Sequence, residues 1–209
     1  MIFDCDGVLV DSEPVVMRVL AGKMTEAGVQ TTHEDCLRDF VGLNEQATLD
    51  LIAERFGGPV PDTWLAELGV ALSAALRREV TAVPGVTAAL DRITTPVCVA
   101  SNANHAKVRL TLSTAGLLDR FSGRIFSAAD VVRGKPAPDL FLHAADSLGL
   151  APANCVVVED SDSGVAAARA AGMRVLGYAG GSLPQQLADA DGVFSSMADL
   201  PALLGDSRR

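Results

Sequence analysis

The stretch Phe3-Asp4-Cys5-Asp6-Gly7-Val8-Leu9-Val10-Asp11-Ser12-Glu13 places two carboxylates one residue apart, after an apolar segment and before a glycine. A strand ending in Met1-Ile2-Phe3 delivers Asp4 to the carboxyl edge of a sheet, where open α/β folds bind their ligands. Alone, the pair of aspartates reads equally well as a solvated turn after a strand. Three later segments decide between the two readings.

Pro96-Val97-Cys98-Val99-Ala100-Ser101-Asn102 is an apolar, β-branched run that ends in a hydroxyl and an amide and leads into a helical stretch from Asn104. In Gly134-Lys135-Pro136-Ala137-Pro138-Asp139, Pro136 favours extended backbone at Lys135 and Pro138 can open the next helix, so Lys135 stands just upstream of a helix start. Cys155-Val156-Val157-Val158-Glu159-Asp160-Ser161-Asp162-Ser163-Gly164 is a strand that ends in adjacent acids and a helix cap. Polar groups therefore stand at the ends of strands whose interiors are almost wholly apolar.

Asp4, Asp6, Glu159 and Asp160 brought to one edge repel one another and raise their own pKa values unless a cation joins them. The available ligands are hard oxygens, with no His or Cys placed to help, which favours Mg²⁺ over zinc. Magnesium keeps waters and commonly binds through carboxylates plus a substrate phosphate, so the metal points to a phosphorylated substrate. Bland alternatives stand beside these readings. Ser101 can cap the following helix, Lys135 can be a solvated lysine, and Asp162 and Ser163 read as caps of a helix through Val165 to Ala171. Asp11 and Ser12 read as a turn into a second domain.

Taken in chain order, the set D-x-D-G-V, Ser, Lys-Pro and Glu-Asp resembles the haloacid dehalogenase superfamily of phosphohydrolases. Within it the match is to the subgroup of β-phosphoglucomutase and small sugar-phosphate phosphatases, over nearly the whole chain. The resemblance implies that Asp4 is the nucleophile forming an aspartyl-phosphate and that Asp6 is the general acid and base, its backbone carbonyl facing the metal. It implies Asp160 as a direct Mg²⁺ ligand, with Glu159 binding directly or through water; the metal set is Asp4, Asp6, Glu159 and Asp160. Ser101, the Asn102 N–H and Lys135 would bind the phosphoryl group, Lys135 also keeping Asp4 ionised.

From Glu13 to about Arg78 the sequence carries helical periodicity only, over Val15–Ala27, Glu34–Phe40, Glu45–Phe56 and Asp62–Glu79. Strands then alternate with helices, with strands expected at 1–4, 96–100, 124–126, 155–159 and 174–177 and a short one at 192–195. The fold class is α/β, a Rossmann-like parallel-sheet core with an all-α cap inserted after the first strand. The expected domains are a catalytic core of residues 1–11 and 82–209 and a cap of residues 12–81. The resemblance implies that the cap reads the leaving group, with Gly42 and Asn44 in a loop facing substrate, where Gly42 permits the turn and Asn44 reads first as the cap of the helix from Glu45 and second as a substrate contact. Only three residues precede Asp4, so either the start is trimmed or the first strand is unusually short, and because family members usually carry a few more residues there a trimmed start is the expectation. The tail Gly205 to Arg209 is expected to fray.

A formal net charge of -9 over 209 residues argues against nucleic acid or an anionic membrane as partner but not against a phosphate substrate, since one lysine and a metal supply local positive charge, and the resemblance implies a small phosphorylated metabolite. No stretch is apolar enough to span a bilayer and no signal segment opens the chain, so a cytoplasmic protein is expected. The sequence leaves the oligomeric state open, and a monomer is compatible with it. Cys5, Cys36, Cys98 and Cys155 form no C-x-x-C pair and read as buried thiols. Val16 and Glu45 stand where the mutase carries a histidine and an arginine. An acid in place of that arginine removes the charge that would hold a second phosphoryl group, so hydrolysis is favoured over a β-phosphoglucomutase-type isomerase. A non-catalytic metabolite-binding domain is disfavoured because binding alone does not need Asp6 beside Asp4, and a dehalogenase because that branch lacks the second aspartate.

Overall fold

The computed structural model describes residues 1–41, 43, 45–181 and 187–205. The expected substrate residues Gly42 and Asn44 lie outside the described residues, as does most of the tail expected to fray. The chain divides into two compact units, Met1–Asp11 with Thr81–Arg209, and Ser12–Val80.

The first unit is built on a six-stranded sheet of β1 (Ile2–Phe3), β4 (Cys98–Ser101), β5 (Ile125–Ser127), β6 (Val156–Glu159), β7 (Arg174–Tyr178) and β8 (Gly192–Phe194). Their order is β5-β4-β1-β6-β7-β8, and every neighbouring pair is parallel. Parallel sheets are covered on both faces, which is why these strands read as unbroken apolar runs rather than alternating ones. β1 is only two residues long yet central, with Ile2 opposite Cys98 and Val157 and Phe3 opposite Val99 and Val158. Ile2 packs with Ala100, Val157 and Val175 against Leu140, Phe141 and Ala144 of α7 (Asp139–Ser147) and Val165 and Ala168 of α8 (Asp162–Ala170). Phe3 points to the opposite face, where its ring meets Phe121 edge-on at 6.3 Å. This register sets the chemistry. Where β1 ends, Asp4 donates its N–H to Val158 at 3.0 Å, so the ends of β4 and β6, carrying Ser101 and Glu159, flank it.

A second, two-stranded antiparallel sheet pairs β2 (Val10–Asp11) with β3 (Thr81–Ala82), Val10 opposite Ala82 and Asp11 opposite Thr81. The sequence reading gave Thr81 to the insert; its pairing with Asp11 puts it in the first unit.

The second unit holds α1 (Glu13–Glu26), α2 (His33–Asp39), α3 (Glu45–Phe56) and α4 (Asp62–Glu79). Met17, Leu20, Met24, Cys36, Phe40, Ile52, Trp64 and Leu68 form its core, with Val16 at the edge of that cluster. Trp64 meets Phe56 edge-on at 4.9 Å and donates its indole N–H to the Lys23 carbonyl at 3.2 Å, so its one polar atom is satisfied. α2 opens with a capping box: the Thr32 hydroxyl accepts from the Asp35 N–H at 3.1 Å, and the Asp35 carboxylate accepts from the Thr32 N–H at 3.0 Å. α5 (Val86–Arg92), α6 (His105–Thr114) and α9 (Leu200–Gly205) complete the first unit. Among the described residues no helix is long and apolar enough to cross a membrane.

Candidate active site

Asp4 opens a tight turn closed by the Leu9 and Val10 N–H groups, which donate to the Cys5 carbonyl at 2.9 and 3.0 Å. Gly7 in that turn has φ +78°, and a Cβ there would collide with the Asp160 carboxylate, so the acid lies directly over the glycine backbone.

Lys135 reaches the same place from the loop before α7. Its Nζ donates to Asp4 Oδ1 at 2.5 Å and to Glu159 Oε1 at 2.5 Å, and it stands 5.0 Å from the centre of the Phe141 ring. The Lys135 side chain is 3% exposed and that of Glu159 0%, so the solvated-surface reading of this lysine does not hold. Its backbone is held by the side chain of Asn102, which accepts from the Lys135 N–H at 2.9 Å and donates to the Lys135 carbonyl at 3.1 Å. A Cβ at Gly134 would stand 2.6 Å from Asn102 Oδ1, so glycine there leaves room for the amide. The Lys135–Pro136 peptide bond is cis.

Glu159 is tied down at both oxygens. Oε1 takes the lysine, while Oε2 accepts from the Asp160 N–H at 3.0 Å, the Ser161 N–H at 3.2 Å and the Ser161 hydroxyl at 2.9 Å. Ser161 also accepts from the Gly164 N–H at 3.1 Å and is the cap of α8, one residue before the expected Asp162 and Ser163. A Cβ at Gly164 would collide with the Glu159 carboxylate. Oxygens of Asp4, Glu159 and Asp160 lie within 4.8 Å of one another, close enough to share one cation.

Asp6 is not in that group; its Oδ2 accepts from Lys107 Nζ at 2.9 Å. Ser101 is 3% exposed, and its hydroxyl accepts from the Ala103 N–H at 3.2 Å. It is not the cap of α6. Asn104 is, accepting from the Lys107 N–H at 3.0 Å.

Burial pushes the Asp4 carboxyl up to about 7; the Lys135 charge opposes the rise, and Glu159 and Asp6 add to it. Burial also works against charge on Lys135, but Asp4 and Glu159 outweigh it and hold the ammonium above the ordinary lysine value. Lys107 is likewise raised, Asp6 outweighing the cost of burial. Burial, with Asp6 and Asp4 beside it, drives the Cys5 thiol well above its usual value, so this cysteine stays protonated and unreactive.

Lys107 is the residue that sequence reasoning missed. A helical lysine is by default a solvated one, and the available signal was only its place in the first turn of the helix that follows Ser101.

The description of haloacid dehalogenase-like hydrolases matches residues 1–172, and the chain belongs to that family. It is a hydrolase of this class. It is 33% identical over 174 residues to 6-phosphogluconate phosphatase of Escherichia coli (strain K12), covering 83% of this chain and 79% of that one. A haloacid dehalogenase-like protein from Agrobacterium tumefaciens str. C58 superposes with a TM-score of 0.86 at 38% identity, covering 100% of this chain and 98% of that one. A family hydrolase from Deinococcus radiodurans R1, solved with bound phosphate and sodium, superposes with a TM-score of 0.81 at 33% identity, covering 98% and 94% of the two chains.

Proposed function

We propose that this protein is a Mg²⁺-dependent phosphomonoesterase that hydrolyses a small phosphorylated metabolite, a sugar phosphate or a sugar-acid phosphate such as 6-phosphogluconate, through an aspartyl-phosphate intermediate. The observation that carries this reading is the buried Lys135 bridging Asp4 and Glu159 beside Asp160. Likeness to the Escherichia coli 6-phosphogluconate phosphatase supports the substrate class, and the phosphate and sodium bound by the Deinococcus radiodurans relative support a site for an anion and a cation.

The residues present fit magnesium. The candidate ligand group is carboxylate only, without His or Cys, and its members stay crowded although one of them is pushed up to about 7. Asp4 and Asp160 would hold the ion, with the Asp6 carbonyl. Glu159, its oxygens already engaged, would hold Lys135 and the Asp160 turn and meet the ion through water. Bound there, magnesium supplies positive charge to the phosphoryl oxygens.

Asp4 attacks phosphorus, and the bond from phosphorus to the ester oxygen breaks as Asp6 gives that oxygen its proton. The alcohol leaves and Asp4 carries the phosphoryl group. Asp6, now a carboxylate, takes a proton from water; the hydroxide attacks phosphorus, the bond to Asp4 breaks and phosphate is released. Lys135 opposes the rise that burial imposes on Asp4 and so favours the ionised nucleophile. The Ser101 hydroxyl and the Asn102 N–H would donate to the phosphoryl oxygens, which is stabilisation by fixed groups rather than by reorganised water. The helical unit Ser12–Val80, with Gly42 and Asn44, would read the leaving group.

The test is phosphate release from a panel of esters, including hexose phosphates and 6-phosphogluconate, with Mg²⁺ and with excess chelator. Release that depends on the metal is expected. Conversion of β-glucose 1-phosphate to glucose 6-phosphate without release would replace the phosphatase by an isomerase.

A further inference from the structure

Three of the four acids at the sheet edge converge and the fourth does not. Asp4, Glu159 and Asp160 bring oxygens within 4.8 Å of one another, whereas the carboxylate of Asp6, only two residues from Asp4, turns to Lys107, 101 residues away. α6 is fitted to this purpose. Asn104 fixes the helix start by accepting the Lys107 N–H, and Thr111, one turn further on the same face, places its hydroxyl 3.7 Å from the Cys5 sulfur. Lys107 and Thr111 thus meet Asp6 and Cys5, successive residues of the reactive turn, while Val108 between them is fully buried.

The pair is a poor candidate for a stability device. The Lys107 and Asp6 side chains are 38% and 29% exposed, and a pair that open to water adds little to the fold. Its effect is on where the Asp6 carboxylate sits. A divalent cation held by Asp4 and Asp160 would attract a further carboxylate, and a carboxylate captured there could not give a proton to the leaving oxygen or take one from water.

We infer that Lys107 is a positioning residue that holds the Asp6 carboxylate apart from the Asp4, Glu159 and Asp160 group, keeping it available for proton transfer to the leaving group. This rests on the phosphatase reading above. The roles divide between two lysines: Lys135 serves the nucleophile and Lys107 serves the acid.

The test compares Lys107→Met with the wild-type protein on two substrates with Mg²⁺. An alkyl phosphate needs a proton on its leaving oxygen; 4-nitrophenyl phosphate does not. We expect the rate of phosphoryl transfer to Asp4, read in a single turnover as release of the alcohol, to fall roughly 100-fold for the alkyl ester, the usual scale for a displaced catalytic group, and less than about threefold for 4-nitrophenyl phosphate. Release of phosphate from Asp4, which uses Asp6 as base whichever ester is supplied, should slow alike for both. Inhibition by inorganic phosphate should stay unchanged, and Lys107→Arg should restore most of the alkyl activity. A crystal structure of Lys107→Met with Mg²⁺ should place the Asp6 carboxylate beside Asp4 and Asp160. Equal losses of that first step on both esters, no loss on either, or an unmoved Asp6 would overturn the inference while the phosphatase reading stands. A wild-type protein inert toward both esters would instead overturn that reading, and this inference with it.

Discussion

Lys135 Nζ stands 2.5 Å from Asp4 Oδ1 and 2.5 Å from Glu159 Oε1, so one ammonium answers two buried carboxylates. Lys135→Met leaves both acids without their cation. Breaking a buried pair this way costs about 3 kcal/mol or more, and the protein should unfold at correspondingly lower urea. Without that charge Asp4 moves above its present value of about 7, and kcat at neutral pH should fall roughly 1,000-fold. A variant as stable and as active as the wild type would remove Lys135 from the site.

Glu159 and Asp160 should separate when each is made an amide. The Glu159 oxygens accept on both sides, so in Glu159→Gln the new NH₂ must face either the Lys135 ammonium or the donors of Asp160 and Ser161. A loss of about 2 kcal/mol in stability is expected. Asp160→Asn should cost less stability and weaken Mg²⁺ binding more. Denaturant melts and calorimetric Mg²⁺ titrations of the two variants check this, and the opposite ranking would exchange their roles.

Gly7→Ala puts a Cβ against the Asp160 carboxylate at a residue with φ +78°. The backbone alone costs about 1 kcal/mol, and the acid must move. Both Mg²⁺ affinity and melting temperature should fall. Retention of Mg²⁺ affinity would mean that the Asp160 position over the turn is irrelevant to the metal.

The metal response should depend on pH through Asp4. Its folded value of about 7 lies above the ordinary 3.8, so the metal-free fold keeps a proton that the unfolded chain has lost. Metal-free stability from this group therefore falls as pH rises from 3.8 through 7. Mg²⁺ competes with that proton. Thermal shifts on adding Mg²⁺ should be larger at pH 8 than at pH 5.5, and a chelator should reverse them; equal shifts would mean that Asp4 does not meet the ion.

In the helical unit, the Thr32 N–H and hydroxyl and Arg38 hold the Asp35 carboxyl well below its usual value of 3.8. A depressed acid stabilises the fold above the unfolded value and loses that contribution as pH falls through the folded one. Asp35→Asn should lower the melting temperature at pH 7 and lower it progressively less in acid below 3.8. A constant difference across that range would mean that the charge of Asp35 plays no part in the cap.

The core strands were legible because a strand covered on both faces writes itself as an unbroken apolar run, and α3 and α4 because their apolar stripes are long. β2 and β3 were not legible. Each is two residues long, and the pairing of Asp11 with Thr81 is made across the whole inserted segment, where no local pattern records it. At the site, the residue types at each strand end could be read, but not the division of labour among them. That Glu159 spends its oxygens on Lys135 and the Asp160 turn, or that the Asn102 side chain holds the Lys135 backbone, depends on which atoms meet in space. Lys107 shows the limit most clearly: nothing near it in sequence names Asp6 as its partner.

The two-stranded ribbon gives the fold a modular property. Because Val10 and Asp11 pair with Ala82 and Thr81, the core already holds together the two points where the chain departs and returns, and Ser12–Val80 stands in the place of a hairpin turn. Growth or shrinkage of such a loop changes its closure entropy only logarithmically. An Asn-Gly link from Asp11 to Thr81 could therefore stand in for the whole excursion without shifting the register of any sheet strand. The reaction centre is a cassette with a socket, and what is plugged into the socket can be exchanged.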